Sequence, residues 1–217
     1  MAKPIDSNEF YNFLCDRLLG DLPGALSHRK LMPKLNDLDY RTLFPEASPI
    51  KASVLIALDK NLNFPLIVRS DSGHHHANQI SFPGGKSENA ESSLETALRE
   101  AFEEINFASE NYQYAGKLSD LYIEPSKFIV TPEVVFIDEF SGLKPDKHEA
   151  EDIFFVNLFE LAFHNELKYM TKRFFDKDII FPYWEVGNGY QLWGATAMIL
   201  MELVDLLKEH QLIINDK

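Results

Sequence analysis

One short helix in this chain carries more negative charge along its edge than a helix tolerates by itself. Leu94, Ala97, Leu98, Ala101 and Ile105 recur at i, i+3, i+4, i+7 and i+11, just after the breakers Pro83-Gly84-Gly85. That spacing gathers them on one helical face. Glu100, Glu103 and Glu104 are neighbours on the same helix. Like charges so placed destabilise a helix by roughly 0.2–0.5 kcal/mol per pair. At about 100° per residue, Glu100 and Glu104 fall about 40° apart at the rim of the apolar arc, with Glu103 farther out. Partial desolvation there raises the cost of both charges unless a cation is present. The simplest use for such repulsion is to hold divalent cations.

The rest of the chain can support this helix. Of 217 residues, 45% are hydrophobic, with 17 Phe, 8 Tyr and 2 Trp, enough for a sizeable core. Lys plus Arg number 21 against 34 Asp plus Glu, a formal charge of -13. So acidic a chain is a poor generic nucleic-acid binder, since phosphate contact needs Lys and Arg in bulk. A phosphorylated small molecule is still accessible where metals and a few cations offset the field. The single Cys15 excludes an intrachain disulfide and a Cys-rich zinc site, which suits a reducing, cytoplasmic setting. No apolar leader follows Met1, and no apolar run approaches the roughly 20 residues that span a bilayer, so neither secretion nor a membrane partner is expected.

Periodicity and breakers predict the elements. Residues 7–20 read as a helix capped by Ser7, with Phe10, Phe13, Leu14 and Leu18 near one face. Residues 21–49, interrupted by Pro23, Pro33, Pro45 and Pro49, read as irregular. Residues 52–58 and 65–69 read as strands joined by a hairpin turn over 59–63. A polar loop with His74, His75 and His76 leads to a short strand over 79–82. Residues 112–122 and 128–137 read as strands split by Glu124-Pro125-Ser126, residues 153–156 as another, and residues 195–209 as a C-terminal helix. Interleaved strands and helices favour one α/β domain over 50–217, with a helical extension over 1–49 packed on it.

The charged helix resembles the box of the Nudix hydrolases. That pattern is matched at Gly85, Glu91, Arg99, Glu100, Ala101, Glu103, Glu104 and Phe107. Asn106 stands where the family has Gly; the position follows a helix and needs a left-handed backbone, which Asn tolerates best after Gly. Upstream, Arg69-Ser70, His76, Gln79 and Ile80-Ser81-Phe82-Pro83-Gly84-Gly85 resemble the coenzyme A pyrophosphohydrolase branch. So do Asp120-Leu121-Tyr122, Pro125-Ser126, Val130-Thr131-Pro132 and Trp193-Gly194-Ala195-Thr196-Ala197. Two departures are Gly73-His74 in place of Leu-Arg and Asn78 in place of Gly. Losing that Arg matters, because Arg is the best bidentate phosphate partner; His74 or His75 partly replaces it.

The resemblance implies a Nudix-type α/β/α sandwich with a mixed β-sheet, and metal-dependent hydrolysis of a nucleoside diphosphate linked to another moiety. The substrate it favours is coenzyme A or a derivative, cleaved to 4′-phosphopantetheine and adenosine 3′,5′-bisphosphate. ADP-ribose, a nucleotide sugar or a dinucleotide is the alternative, and Gly73-His74 is its best support. Mg²⁺ or Mn²⁺ would sit on Glu100 and Glu104, with Glu103 as third ligand and the Gly85 carbonyl aimed at the same ion. Arg99 would pair with Glu91 and a neighbouring Glu to fix the carboxylates. The general base would be Glu100 or Glu103, or from a later loop Glu149 or Glu151. Arg69, Ser70, His74, His76, Gln79 and Ser81 would contact substrate. A homodimer is a further expectation, through aromatic surface in Tyr112–Ile137 or near Phe174-Phe175 and Phe181-Pro182-Tyr183-Trp184.

Plainer readings compete. Acidic residues on a surface helix are usually a solvated face, but that account must also explain Gly85, Glu91 and Arg99 at their fixed offsets. Three adjacent His cannot all face one ion, so their loop is surface or a phosphate contact. Trp193 to Ala197 reads as close helix packing more than chemistry, and Cys15 as a core residue without an evident base.

Overall fold

The computed structural model describes residues 5–35, 38–39, 48–70, 79–108, 111–174 and 177–215. The chain begins with α1 (Ser7–Arg17), capped by Asp6, whose carboxylate accepts the amides of Asn8 and Glu9. The cap lies one residue before the expected Ser7, and a carboxylate there also meets the positive helix end. Residues 21–49 are less irregular than their prolines suggest, holding α2 (Ala25–His28), β1 (Lys34–Leu35) and β2 (Leu38–Asp39). Elements of two to four residues leave no periodic trace in a sequence. Then follow β3 (Ile50–Leu58), β4 (Asn63–Arg69), β5 (Ile80–Ser81), β6 (Gly84–Lys86), α3 (Ser93–Ile105), β7 (Gln113–Lys117), β8 (Leu121–Ile123), β9 (Phe128–Phe136) and β10 (Ala150–Asn157). The last part comprises α4 (Leu158–Phe163), β11 (Lys168–Phe174), β12 (Lys177–Val186), β13 (Tyr190–Leu192) and α5 (Gly194–Asn215).

The central sheet runs β6-β3-β9-β7, with β8 also on β9. It is mixed: β3 and β9 are parallel from Ile50 opposite Phe128 to Leu58 opposite Phe136, while β6 is antiparallel to β3. The apolar run Val54 to Leu58 is the signature of a strand covered on both faces. Leu55 and Ala57 pack with Ala97, Ala101 and Ile105 of α3. Ile56 and Leu58 belong to the larger core containing α5 and Phe10 and Leu14 of α1. The result is helix on sheet on helix, with α3 on one side and α1 and α5 on the other.

The expected hairpin does not form. Asp59 does make a turn, its carboxylate accepting the amides of Asn61 and Asn63 at 2.8 Å. β3 pairs instead with β6 over Ala52–Val54 and with β9 along its other edge, and β4 belongs to a second sheet, β10-β4-β5. The single strand expected over 112–122 is broken: β7 and β8 pair with different stretches of β9, and Asp120 between them accepts the Thr131 hydroxyl at 2.7 Å. The expected aromatic surface around Phe181–Trp184 is interior, with Phe181 and Trp184 buried in β12. Phe175 lies outside the described residues.

The N-terminal segment is fastened to α5 through a buried carboxylate. Glu202 accepts the Gly24 amide at 3.0 Å, and the Ser119 amide and hydroxyl at 3.1 and 2.7 Å. His28 Nε2 lies 3.3 Å from Oε2, the oxygen that also accepts the Ser119 amide. Among the described residues, no helix is long and apolar enough to cross a membrane.

Candidate active site

The site is assembled where β6 meets α3. Ser92 caps the helix through a capping box with Glu95, each side chain meeting the other's amide. The helix stops at Asn106, which adopts the left-handed conformation expected of it (φ 56°, ψ 39°). Three contacts then tie the helix end to the loop ahead of β10: Asn106 Nδ2 donates to the Gly142 carbonyl, Lys144 N to that of Ile105, and Asp146 N to that of Glu104. The loop carrying Glu149 is thereby held against the charged helix.

Two glycines admit the glutamates. A Cβ on Gly85 would fall on the Glu100 carboxylate, and one on Gly84 would meet the Val54 Cα at 2.6 Å. Gly84 also has φ +152° and donates its amide to Glu104 Oε2 at 2.8 Å. Glu104 is almost fully buried at 1% side-chain exposure, and its other oxygen lies 3.5 Å from Arg69 Nη1. Glu100 is mostly buried and Glu103 is half exposed.

Arg99 organises the remaining carboxylates. Its Nε and Nη2 donate to the two oxygens of Glu91 at 2.8 and 3.2 Å, and Nη2 also reaches the Lys86 carbonyl. Its Nη1 bridges Glu100 at 2.9 Å and Glu103 at 3.0 Å. The electrostatics separate these groups. The Arg99 guanidinium holds the Glu91 carboxyl down to about 2. Burial pushes Glu100 up, opposed by Arg99 and reinforced by Glu103 and Glu149. Burial pushes Glu104 up to about 8; the Gly84 amide and Arg69 oppose this, while Glu100 and Glu149 add to it.

This donor set fits a hard divalent ion. Among the described residues no three His, Cys, Asp or Glu side chains are grouped so as to hold an ion by themselves, and Arg99 engages Glu100 and Glu103. Mg²⁺ does not require such a group: it is commonly held by one or two carboxylates, with water and substrate phosphates completing the shell. The buried Glu104 and its neighbour Glu100 are the two carboxylates that could form such a pair, and the same oxygens would suit Mn²⁺.

The other expected contacts divide. Arg69 joins the site through Glu104. Ser70 spends its hydroxyl on the His148 carbonyl at 2.5 Å, and its amide donates to the Glu149 carbonyl. The Gln79 carbonyl accepts the Arg69 amide. Ser81 Oγ is buried and has no hydrogen-bond partner among the described residues. His74 and His76 lie outside the described residues. Of the two loop candidates, Glu149 acts electrostatically on Glu100 and Glu104, whereas Glu151 lines a separate cavity of about 560 Å³ with Val68, Lys147, Asp152 and Tyr190. Sequence reasoning overlooked the Gly84 amide and Thr96. The second had a signal, a hydroxyl residue directly beside the apolar helix face.

The chain is similar to known proteins. The family model described as NUDIX domain matches residues 48–175. A Pectobacterium atrosepticum protein called uncharacterized Nudix hydrolase NudL is 33% identical over 185 residues, covering 78% of this chain and 92% of its own. The mouse peroxisomal coenzyme A diphosphatase NUDT7 is 28% identical over 186 residues, covering 81% and 78%. Among solved structures, a MutT/nudix family protein from Enterococcus faecalis aligns with a TM-score of 0.52 over 95% of this chain and 76% of its own, at 18% identity, a likeness of fold.

Proposed function

The chain belongs to the NUDIX family of hydrolases, which act on pyrophosphate bonds, and from that premise we propose that its substrate is coenzyme A or a derivative, cleaved to 4′-phosphopantetheine and adenosine 3′,5′-bisphosphate. The observation that carries the hydrolytic reading is the Glu100–Glu104 pair seated against the Gly84-Gly85 turn. The choice of coenzyme A is supported by the run from Gln79 to Gly85 and by likeness to the mouse coenzyme A diphosphatase.

Glu100 and Glu104 are the proposed ligands of Mg²⁺ or Mn²⁺, with Glu103 and the Gly85 carbonyl completing the protein's share. A bound ion supplies charge neutralisation at the attacked phosphorus and orients the diphosphate. Arg99 and Glu91 keep the carboxylates in register. Arg69, 40% exposed, has guanidinium surface left to meet a phosphate oxygen. Gln79 is a further proposed substrate contact; the Ser81 hydroxyl is buried and is not offered to the substrate. The proton of the attacking water goes to Glu100, Glu103 or Glu149; Glu151 faces the wrong cavity.

The test is a panel of coenzyme A, ADP-ribose, a nucleotide sugar and a dinucleotide with Mg²⁺ or Mn²⁺, ranked by kcat/KM. Oxygen-labelled water then identifies the attacked phosphorus. Coenzyme A should rank first. The Gly73-His74 departure favours ADP-ribose as the second reading, and a higher kcat/KM for ADP-ribose would replace the first.

A further inference from the structure

Thr96 has no exposed surface, yet it carries a hydroxyl beside the face that Ala97, Ala101 and Ile105 turn to the sheet. A buried hydroxyl is costly unless bonded, and Thr is a weaker helix former than Ala or Leu. Its Oγ1 lies 3.0 Å from Glu91 Oε2 and 3.1 Å from Ser87 Oγ. One hydroxyl proton serves one acceptor well. The ionised carboxylate only accepts, so Thr96 donates to Glu91 and Ser87 donates to Thr96.

This order matters for the guanidinium. Glu91 Oε2 receives Thr96, the Glu88 amide at 3.1 Å and Arg99 Nη2 at 3.2 Å; Oε1 receives Arg99 Nε at 2.8 Å. The pairing is side-on, along the Nε edge of Arg99. Only this arrangement leaves Nη1 for Glu100 and Glu103. A Glu91 carboxylate turned to the end of the guanidinium would compete for Nη1 and release both.

We infer that Thr96, backed by Ser87, is a positioning residue: it fixes the Glu91 carboxylate so that Arg99 presents Nη1 to the two glutamates of the metal face. The inference rests on the pyrophosphohydrolase reading for its effect on turnover, but not for its effect on geometry.

The experiment compares Thr96→Val, which keeps the shape and removes the hydroxyl, with Thr96→Ser, which keeps the hydroxyl. Removing an outer hydrogen bond of a metal site commonly costs about 10- to 100-fold in activity or metal affinity. In Thr96→Val, kcat should fall about tenfold, the half-saturating Mn²⁺ concentration in calorimetry should rise, and KM for coenzyme A should stay within about twofold. Thr96→Ser should restore kcat and metal affinity. Independently of activity, the Arg99 Nε–H should exchange with water at least about tenfold faster in Thr96→Val than in wild type, and at the wild-type rate in Thr96→Ser. Unchanged Nε–H exchange and Mn²⁺ affinity in Thr96→Val would overturn the inference, as would a loss that Ser fails to restore. If wild type cleaves no pyrophosphate but the exchange contrast is present, the functional reading falls and the positioning role stands.

Discussion

Glu104 on α3 and Glu202 on α5 are the same side chain, buried to the same degree, with pKa values pushed in opposite directions. Glu202, at 0% exposure, suffers the upward push of burial, but the His28 imidazole and the Ser119 and Gly24 donors outweigh it and hold its pKa below the ordinary value. Glu104, at 1% exposure, has one amide and one long contact to Arg69, and burial wins, raising it to about 8. A carboxylate that binds structure is given its donors by the fold. Glu104, the proposed metal ligand, is left short of them.

The largest effect expected from this contrast is on turnover. Glu104→Gln removes a proposed metal ligand, so kcat should fall by at least about 10²-fold, the upper end of losses seen for residues merely behind the ligands. The Tm should drop by no more than about 2 °C, since an amide in that site carries no buried charge. Glu202→Gln should do the reverse. Its amide nitrogen cannot accept from Ser119 or Gly24, and an unsatisfied buried donor costs about 2 kcal/mol, or about 4–8 °C in Tm for a chain of this size. The residual folded enzyme should keep its kcat. Equal loss of activity in both variants would erase the distinction.

Acid sharpens the same comparison. Because the folded pKa of Glu202 is depressed, its contribution to stability is complete above the ordinary carboxylate pKa and is lost as pH falls through the folded value. Denaturant midpoints measured downward from about pH 5 should decline in wild type, and decline less steeply in Glu202→Gln. Parallel curves would mean that Glu202 is not what acid titrates.

Gly85→Ala tests the crowding on the other side. The added methyl meets only the mobile end of Glu100, so the fold should tolerate it while the carboxylate moves. Activity should fall about tenfold with half-saturating Mg²⁺ raised. A variant with wild-type metal dependence would show that Glu100 has room to spare.

These regions were not equally legible in the sequence. α3 and its turn were, because spacing within one helix encodes which side chains share a face, and Gly84, Gly85, Glu91 and Arg99 lie within a few turns of it. Desolvation of Glu100 and Glu104 followed from the same wheel. The α5 junction was not: Glu202 reads as a stray acid in Met201-Glu202-Leu203, and its partner Gly24 lies 178 residues away. The strands β11 to β13 were also hidden. Pro182 reads as a breaker inside β12, although it pairs opposite Tyr169, and buried Phe181 and Trp184 look like surface aromatics when neither facing layer is known. The turn at Asp59 was visible, but the sheet β4 joins depends on β10, a partner about 90 residues away that spacing near the turn does not encode.

The smallest effect concerns the one residue that departs from the family box. Asn106 holds a left-handed backbone, which costs most L-residues about 1–2 kcal/mol and Gly almost nothing. Its side chain returns some of that cost by donating to Gly142 at 3.0 Å, and in doing so ties α3 to the loop that carries Glu149. Asn106→Gly therefore exchanges a hydrogen bond for backbone ease, and its stability should lie within about 0.5 kcal/mol of wild type in urea titration. Asn106→Ala gains neither and should lose about 1–2 kcal/mol. If Gly proves clearly better than Asn, the Gly142 contact contributes little, and the loop depends instead on the main-chain bonds from Lys144 and Asp146.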